Sequence, residues 1–135
     1  MRIIVCVDEK GGMSFGGRRQ SRDSVLCQRI LEITAGDRLW VRPYTAGLFS
    51  DISRLCVSED YLHKAAPEDW CFTETEDLTD YLEQFDRVVV YRWNRHYPSD
   101  RKFPEARLAE RWHLESRQDF AGSSHERITE EVYSL

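Results

Sequence analysis

Two short runs of apolar residues constrain the fold of this chain most. The first, RIIVCV at residues 2–7, is nearly continuous and rich in β-branched side chains, and VVVYRW at residues 88–93 is similar. Such runs are typical of central strands that are covered on both faces, as in parallel sheets with helices on each side. They therefore predict an α/β fold with a mixed, mostly parallel sheet and helices on both faces.

Helical and strand patterns alternate between these two runs. Residues 21–34 carry apolar side chains at helical spacing, with either Ser21 or Asp23 as the N-cap and Gly36 as the stop signal. The sequence TETE at residues 73–76 matches a capping box, which predicts a helix over residues 77–85. Further strands are predicted at residues 38–41, at 55–57 and from residue 71, and further helices at 43–49 and 59–66.

The C-terminal third of the chain predicts an antiparallel hairpin. Residues 94–106 contain two prolines and no periodicity, which indicates a loop. Residues 111–116 and 128–133 alternate between apolar and polar side chains, and the segment DFAGSSHER connects them. Because we find no repeats and no linker composition, we expect residues 1–135 to form a single domain.

Composition excludes several classes of function. The net charge of −5 argues against general binding of nucleic acid, which depends on clustered Lys and Arg. No apolar run approaches the roughly 18 residues that span a bilayer, and no leader precedes the first strand, so we expect a cytoplasmic protein without membrane contact. The four cysteines are far apart in sequence, which predicts reduced thiols and no metal site.

A segment rich in glycine and arginine follows the first strand and is the strongest candidate for a ligand site. Guanidinium groups beside glycines and a helix start favour the binding of phosphate or carboxylate. The alternative is that these arginines pair with some of the 24 acidic residues. Asp23 is a candidate proton donor, or simply a helix cap. The candidate ligand-binding residues here are Gly16, Gly17, Arg18, Arg19, Gln20, Ser21 and Arg22.

Aromatic side chains near the predicted strand ends are a second candidate feature. Trp40, Tyr44, Tyr91, Trp93 and Tyr97 could stack on a ring-shaped ligand or could form ordinary core. The segment YRWNRHYP adds three polar candidates, which are Arg92, Asn94 and Arg95. The segment GSSHE contains Ser, His and Glu, but they are too close in sequence to converge as a hydrolytic triad, so a hairpin turn explains them.

The order of these elements resembles the dihydrofolate reductase family. IIVCVDEKGGMSF is similar to the family's first strand and mobile loop, and the tail from DRVVVYRW to EEVYSL is similar to its last strands and hairpin. RLWVRPYTAGLF resembles the strand and helix start where an arginine and a threonine contact cofactor phosphates, which implies that Arg42 and Thr45 are those positions. Tyr44 lies between them and is a further candidate for ligand binding. The resemblance also implies that Asp23 lies near the family's buried catalytic acid.

One departure from that family bears on the cofactor. The family has a glycine pair after a buried strand, where the backbone approaches the dinucleotide diphosphate, and this chain has CFTETEDL there. We therefore expect no cofactor, and binding of a small anionic or nucleotide-like ligand without hydride transfer. The alternative is a divergent NADPH-dependent reductase of a pterin-like ring, with Asp23 as the proton donor.

A second resemblance concerns short bacterial proteins that carry the label ribonuclease Z. The segments GGRRQSRD and DFAGSSHERIT resemble theirs. Zinc phosphodiesterases of that name need a clustered His-x-His-x-Asp-His set to hold two metals. Here His63, His96, His113 and His125 are isolated in sequence, so nuclease action would depend on the label alone.

Overall fold

A computed structural model describes residues 1–49 and 52–135 of the chain. The main element of the fold is a seven-stranded sheet. The strands of the chain are β1 (Arg2–Val7), β2 (Gly12–Phe15), β3 (Arg18–Arg19), β4 (Leu39–Val41), β5 (Leu55–Val57), β6 (Trp70–Thr73), β7 (Arg87–Arg92), β8 (Arg101–Lys102), β9 (His113–Phe120) and β10 (Ile128–Ser134). The helices are α1 (Ser24–Ile33), α2 (Pro43–Ala46), α3 (Tyr61–Lys64) and α4 (Glu105–Arg111).

The two apolar runs lie side by side in the middle of that sheet. The strand order is β5-β4-β6-β1-β7-β10-β9, and β1 pairs in parallel with both β6 and β7. The last two strands are antiparallel, with β10 against β7 and β9 at the edge. The predicted α/β class, the mixed and mostly parallel sheet and the C-terminal antiparallel hairpin are all confirmed.

Both faces of the sheet are covered, as predicted. On the α1 face, Leu26 and Ile30 of α1 pack with Ile4, Val89 and other strand residues. On the opposite face, Leu62 of α3 and Leu108 of α4 pack with a second set of strand residues, so we call it the α4 face. Successive strand residues point to opposite faces, which is why one strand supplies both cores.

The glycine-rich segment after β1 is more ordered than the sequence predicted. It forms a small antiparallel sheet in the order β3-β2-β8. Gly16 and Gly17 connect β2 to β3, and both have positive φ (58° and 74°), which is the backbone of a two-residue hairpin turn. Asp8 holds the start of this segment, because its carboxylate accepts from the backbone N–H groups of Lys10 and Gly12.

Two predicted boundaries near the ends of helices need adjustment. Helix α1 begins after Asp23, so the N-cap is Asp23 rather than Ser21. Gly36 has the positive φ of 87° expected beyond a helix end. Helix α2 is shorter than predicted, since it ends at Ala46. The residues that follow Phe49, at 50 and 51, lie outside the described part of the chain.

The predicted helix over residues 77–85 is wrong, because only a 3-10 turn forms at Leu82–Gln84. The expected capping box is absent, since Thr73 is the last residue of β6 and its hydroxyl accepts from Tyr61. The stretch predicted as a loop contains β8 and the first two residues of α4, and the following strand begins at His113 rather than at residue 111. Over the described residues, no helix is both long enough and apolar enough to cross a membrane.

Candidate functional site

The buried carboxylate of Asp23 connects α1 to the turn between β9 and β10. Its Oδ1 accepts from the backbone N–H groups of Val25 and Leu26, which is the hydrogen bonding of an N-cap. The same carboxylate accepts from the backbone N–H groups of Ser123 and Ser124, about a hundred residues along the chain, at 3.0 and 2.8 Å. One side chain therefore fixes both segments.

His125 lies in the same buried cluster, between Asp23 and two hydroxyl groups. Its Nδ1 is 3.1 Å from Oδ2 of Asp23, and its Nε2 is 3.1 Å from the Ser21 hydroxyl and 3.0 Å from the Tyr97 hydroxyl. The imidazole stacks on Trp93, with the ring centroids 4.5 Å apart. Stacking therefore fixes the plane of the imidazole ring, and hydrogen bonds to both ring nitrogens fix its rotation within that plane.

The hydrogen bonds to Asp23 determine whether its carboxyl group is charged. Burial alone would raise the pKa of Asp23, but the N–H groups of Ser123 and Ser124, together with His125, outweigh burial and lower that pKa well below its usual range. The carboxylate is therefore ionised at neutral pH. An ionised carboxylate only accepts hydrogen bonds, so His125 donates its Nδ1–H to Asp23.

A cleft of about 460 Å³ opens beside this cluster, between α1 and the segment after α2. Its polar lining is Arg22, Asp23, Ser24, Gln28, Ser123 and Ser124. Its apolar lining is Cys27, Leu31, Leu48 and Phe49. A narrow inner pocket shares Arg22, Asp23, Cys27 and Leu48 with the cleft and continues to Ser21 and Trp93.

The other arginines of the glycine-rich segment do not line this cleft. Arg19 instead forms a two-pronged ion pair with Glu74, from Nε to Oε2 at 2.8 Å and from Nη2 to Oε1 at 3.1 Å. Glu74 also accepts from the buried Thr45 hydroxyl at 2.8 Å. Arg18 is exposed on β3. Of the two interpretations of these arginines, the acidic partner therefore holds for Arg19.

The predicted residues of the α2 turn do meet this ion pair. Tyr44 lies under the Arg19 guanidinium, with the carbon Cζ 4.3 Å from the ring centroid, and its hydroxyl accepts from the Arg19 backbone N–H. Arg42 donates to the Thr75 hydroxyl and lies 3.7 Å from a carboxylate oxygen of Glu76. The ends of β4 and β6 thus carry a network of internal charges.

The remaining predicted residues lie elsewhere. Arg92 is on the α4 face, where Glu105 and Glu131 pair with it, so it does not line the cleft. Asn94 has a positive φ of 60° and donates to the carbonyl of Arg127 and to Thr129. Arg95 is exposed, and its carbonyl accepts from Glu9. Gln20 donates to Asp8 and to the carbonyl of Pro98.

Sequence reasoning missed the role of His125 and the ring it stacks on. The segment GSSHE was correctly interpreted as a turn, but the partners of His125 come from residues about a hundred positions earlier. No local spacing could reveal them. Within residues 1–49 and 52–135, no three His, Cys, Asp or Glu side chains are grouped so that they could hold a metal ion.

Comparison with known proteins identifies the fold. No protein-family model matches the sequence, and no curated protein is similar to it in sequence. Among solved structures, dihydrofolate reductase from Enterococcus faecalis, described as complexed with NADP(H) and RAB-propyl, superposes with a TM-score of 0.71. The match covers 98% of this chain and 94% of that one, at 12% sequence identity. This chain has the dihydrofolate reductase fold.

The likeness at 12% identity concerns the backbone alone. Asp23 is buried and stands at the start of α1. Its role as a proton donor stays a prediction, and the hydrogen bonds that keep the carboxylate ionised at neutral pH do not support it. The same fold brings the end of β6 next to the start of α2, where Glu74 and Thr45 meet.

Proposed function

We propose that this domain binds a small anionic molecule in the cleft beside α1, and that it does so without hydride transfer. The observation that carries the proposal is the position of Arg22. Arg22 lines the cleft, and in the described part of the chain its guanidinium has no hydrogen bond and no acidic partner. A guanidinium that is left without an internal counter-charge at the mouth of a cleft attracts phosphate or carboxylate.

The hydroxyl of Ser123 supports an acceptor-rich ligand. Its oxygen accepts from both the backbone N–H and the hydroxyl of Ser24, at 3.0 and 2.8 Å. Over the described residues it donates to nothing, so its own proton is available to a bound molecule. Ser123 and Arg22 together line the cleft and present donors to it.

The rest of the lining indicates the shape of the molecule. Leu31, Leu48 and Phe49 form an apolar wall opposite the donors. Small-molecule sites commonly combine a mostly apolar surface with a few placed polar groups. A ligand that joins one anionic group to an apolar or ring-shaped body fits this lining, and nucleotide-like molecules belong to that class.

The residues at the end of β6 do not fit a nicotinamide dinucleotide. The family that the sequence resembles has a glycine pair there, and this chain has Thr73, Glu74 and Thr75, all buried. Arg19 and Thr45 already donate hydrogen bonds to the Glu74 carboxylate. The negative charge of that carboxylate would also repel a diphosphate. The alternative of an NADPH-dependent reductase therefore has no support from these side chains, and ribonuclease action has none beyond the label.

Thermal unfolding in the presence of defined anions tests the proposal. The probes are inorganic phosphate, benzoate, adenosine monophosphate and reduced nicotinamide dinucleotide phosphate, each titrated over a wide range of concentration. Ligand that binds the native state raises the midpoint with the logarithm of its concentration. We expect benzoate or adenosine monophosphate to raise Tm more than phosphate, and the dinucleotide to give no shift beyond that of its phosphate groups.

A pair of charge-matched variants makes the test specific. R22Q and R18Q each remove one exposed arginine and change the net charge equally, but only Arg22 lines the cleft. We expect R22Q to lose the ligand-induced shift and R18Q to keep it. Equal loss in both variants, or a shift that survives R22Q, would contradict binding in the cleft.

A further inference from the structure

Ser21, His125 and Asp23 form a continuous chain of hydrogen-bonding side chains. The Ser21 hydroxyl lies 3.1 Å from Nε2 of His125, and Nδ1 of the same ring lies 3.1 Å from Oδ2 of Asp23. Nothing in the proposed binding function requires this arrangement. We propose that Ser21 is a nucleophile, with His125 as its general base and Asp23 as the residue that positions the base, and that the substrates are small carboxylic esters.

The geometry gives each member the role that such a set needs. A serine hydroxyl is a weak nucleophile until an adjacent base accepts its proton. Because Asp23 accepts the Nδ1–H of His125, the lone pair of Nε2 points toward the hydroxyls of Ser21 and Tyr97. Stacking on Trp93 keeps the imidazole from rotating away. The same set of roles recurs on unrelated folds, and it is recognised by its geometry.

Ser21 is partly exposed, whereas His125 and Asp23 are buried. The Ser21 residue is half-buried and lines the inner pocket, whose wall also includes Arg22 and Asp23. The cleft of about 460 Å³ shares those two residues. The inner pocket holds only about 10 Å³, so an ester reaches Ser21 at the exposed part of that residue, while the base and its partner stay buried.

The reaction proceeds in two balanced steps. Ser21 Oγ attacks the ester carbonyl and its proton passes to His125 Nε2, which gives a tetrahedral intermediate. That intermediate expels the alcohol, which takes the proton back from His125, and an acyl group remains on Ser21. Water then repeats the sequence with His125 as the base, which releases the carboxylic acid and restores Ser21.

The choice of substrate class depends on the proposed anion site, whereas the nucleophile does not. If Arg22 holds an anion in the cleft, an ester that carries a second carboxylate should react faster than a neutral one. The uncharged probe 4-nitrophenyl acetate and the anionic probe mono-4-nitrophenyl succinate separate the two ideas. Hydrolysis of both at equal rates would contradict the anion site but leave the nucleophile in place.

Covalent labelling with a fluorophosphonate tests the nucleophile directly. The reagent phosphonylates activated serines and releases fluoride, and mass spectrometry of the digested protein locates the label. We expect one label, on Ser21, in the wild-type protein and in S116A, a matched Ser to Ala change at an exposed position of β9. We expect no label in S21A, and a loss of at least about 100-fold in ester hydrolysis. Labelling of S21A at the wild-type rate, or no labelling of the wild-type protein, would overturn the proposal.

Two further variants separate catalysis from folding. S21A and S21C must first show the wild-type melting curve. S21C places a thiol beside the same base, and iodoacetamide should alkylate this introduced thiol faster in S21C than in the double variant S21C/H125Q. If the two rates are equal, His125 does not activate residue 21 and the proposal is wrong.

Discussion

The guanidinium of Arg19 donates to both carboxylate oxygens of Glu74, 55 residues along the chain, at 2.8 and 3.1 Å. Only 6% of the Glu74 side chain is exposed, against 19% for Arg19. This pair fastens the hairpin of β2 and β3 to the end of β6. It also places two of the protein's own charges at the end of β6.

We expect E74Q to destabilise the protein by about 2 kcal/mol. Removing one partner of a largely buried ion pair leaves the other charge uncompensated, and the partial exposure of Arg19 reduces the cost below the 3–5 kcal/mol of a fully buried pair. Urea unfolding of E74Q, R19Q and the double variant measures the coupling. The control is R127Q, whose partner Asp119 is 3.9 Å away in an exposed pair, and it should change stability by less than about 0.5 kcal/mol. An E74Q protein as stable as R127Q would contradict a structural role for the pair.

The sheet could be predicted from sequence because its signals are local. The runs at β1 and β7 are apolar at the positions that face the core on each side of the sheet. The alternation in β10 indicated the C-terminal antiparallel hairpin. The prediction of a helix over residues 77–85 was wrong because of a tertiary contact. Thr73, which looked like an N-cap, is the last residue of a buried strand, and its hydroxyl is already bonded to Tyr61.

The site was predictable only in part, since its contacts join distant segments. Asp23 and the cleft residue Arg22 stood out from the sequence, and Asp23 is indeed the N-cap. The pairing of Arg19 with Glu74 and that of Asp23 with His125 span 55 and 102 residues. No periodicity relates such positions, so only the folded backbone reveals which acid each base meets.

We expect G122A to destabilise the protein by about 1–3 kcal/mol and to disturb the Asp23–His125 contact. A Cβ on Gly122 would overlap Oδ2 of Asp23 and lie 3.0 Å from the carbonyl oxygen of His125, so the turn must shift. Gly47 supplies the matched control, because its φ of −64° suits alanine and its Cβ would meet nothing within 4 Å. Chemical denaturation should therefore show G47A at or slightly above wild-type stability. Equal effects of the two substitutions would mean that the turn is not packed against Asp23.

We expect stability to fall in acid, and D23N to remove part of that fall. Burial raises the pKa of Asp23, but the backbone N–H groups of Ser123, Ser124 and Leu26, together with His125, lower it below the ordinary value of 3.8. A native pKa below the unfolded one means that the ionised carboxylate stabilises the fold above about pH 4, and that this contribution is lost as the pH falls further. Urea midpoints at pH 7, 5 and 3 measure the slope. Asp8, whose pKa is lowered in the same direction, keeps a residual slope in D23N. Superimposable pH profiles for the two proteins would show that Asp23 is not held ionised by the fold.

We expect the double variant G16A/G17A to lose about 2 kcal/mol or more, and G16N alone to lose much less. Both glycines have positive φ in the turn between β2 and β3, a conformation that costs alanine roughly 1–2 kcal/mol at each position, while Asn-Gly suits this turn. Neither Cβ would meet an atom within 4 Å, so the cost is one of backbone conformation and not of packing. Because this turn sets the direction in which β3 carries Arg19 toward Glu74, the double variant should also weaken the coupling between those two side chains. A double-mutant cycle for Arg19 and Glu74, measured by urea unfolding in the G16A/G17A background, tests this directly. An undiminished coupling energy there would show that the ion pair forms independently of the hairpin.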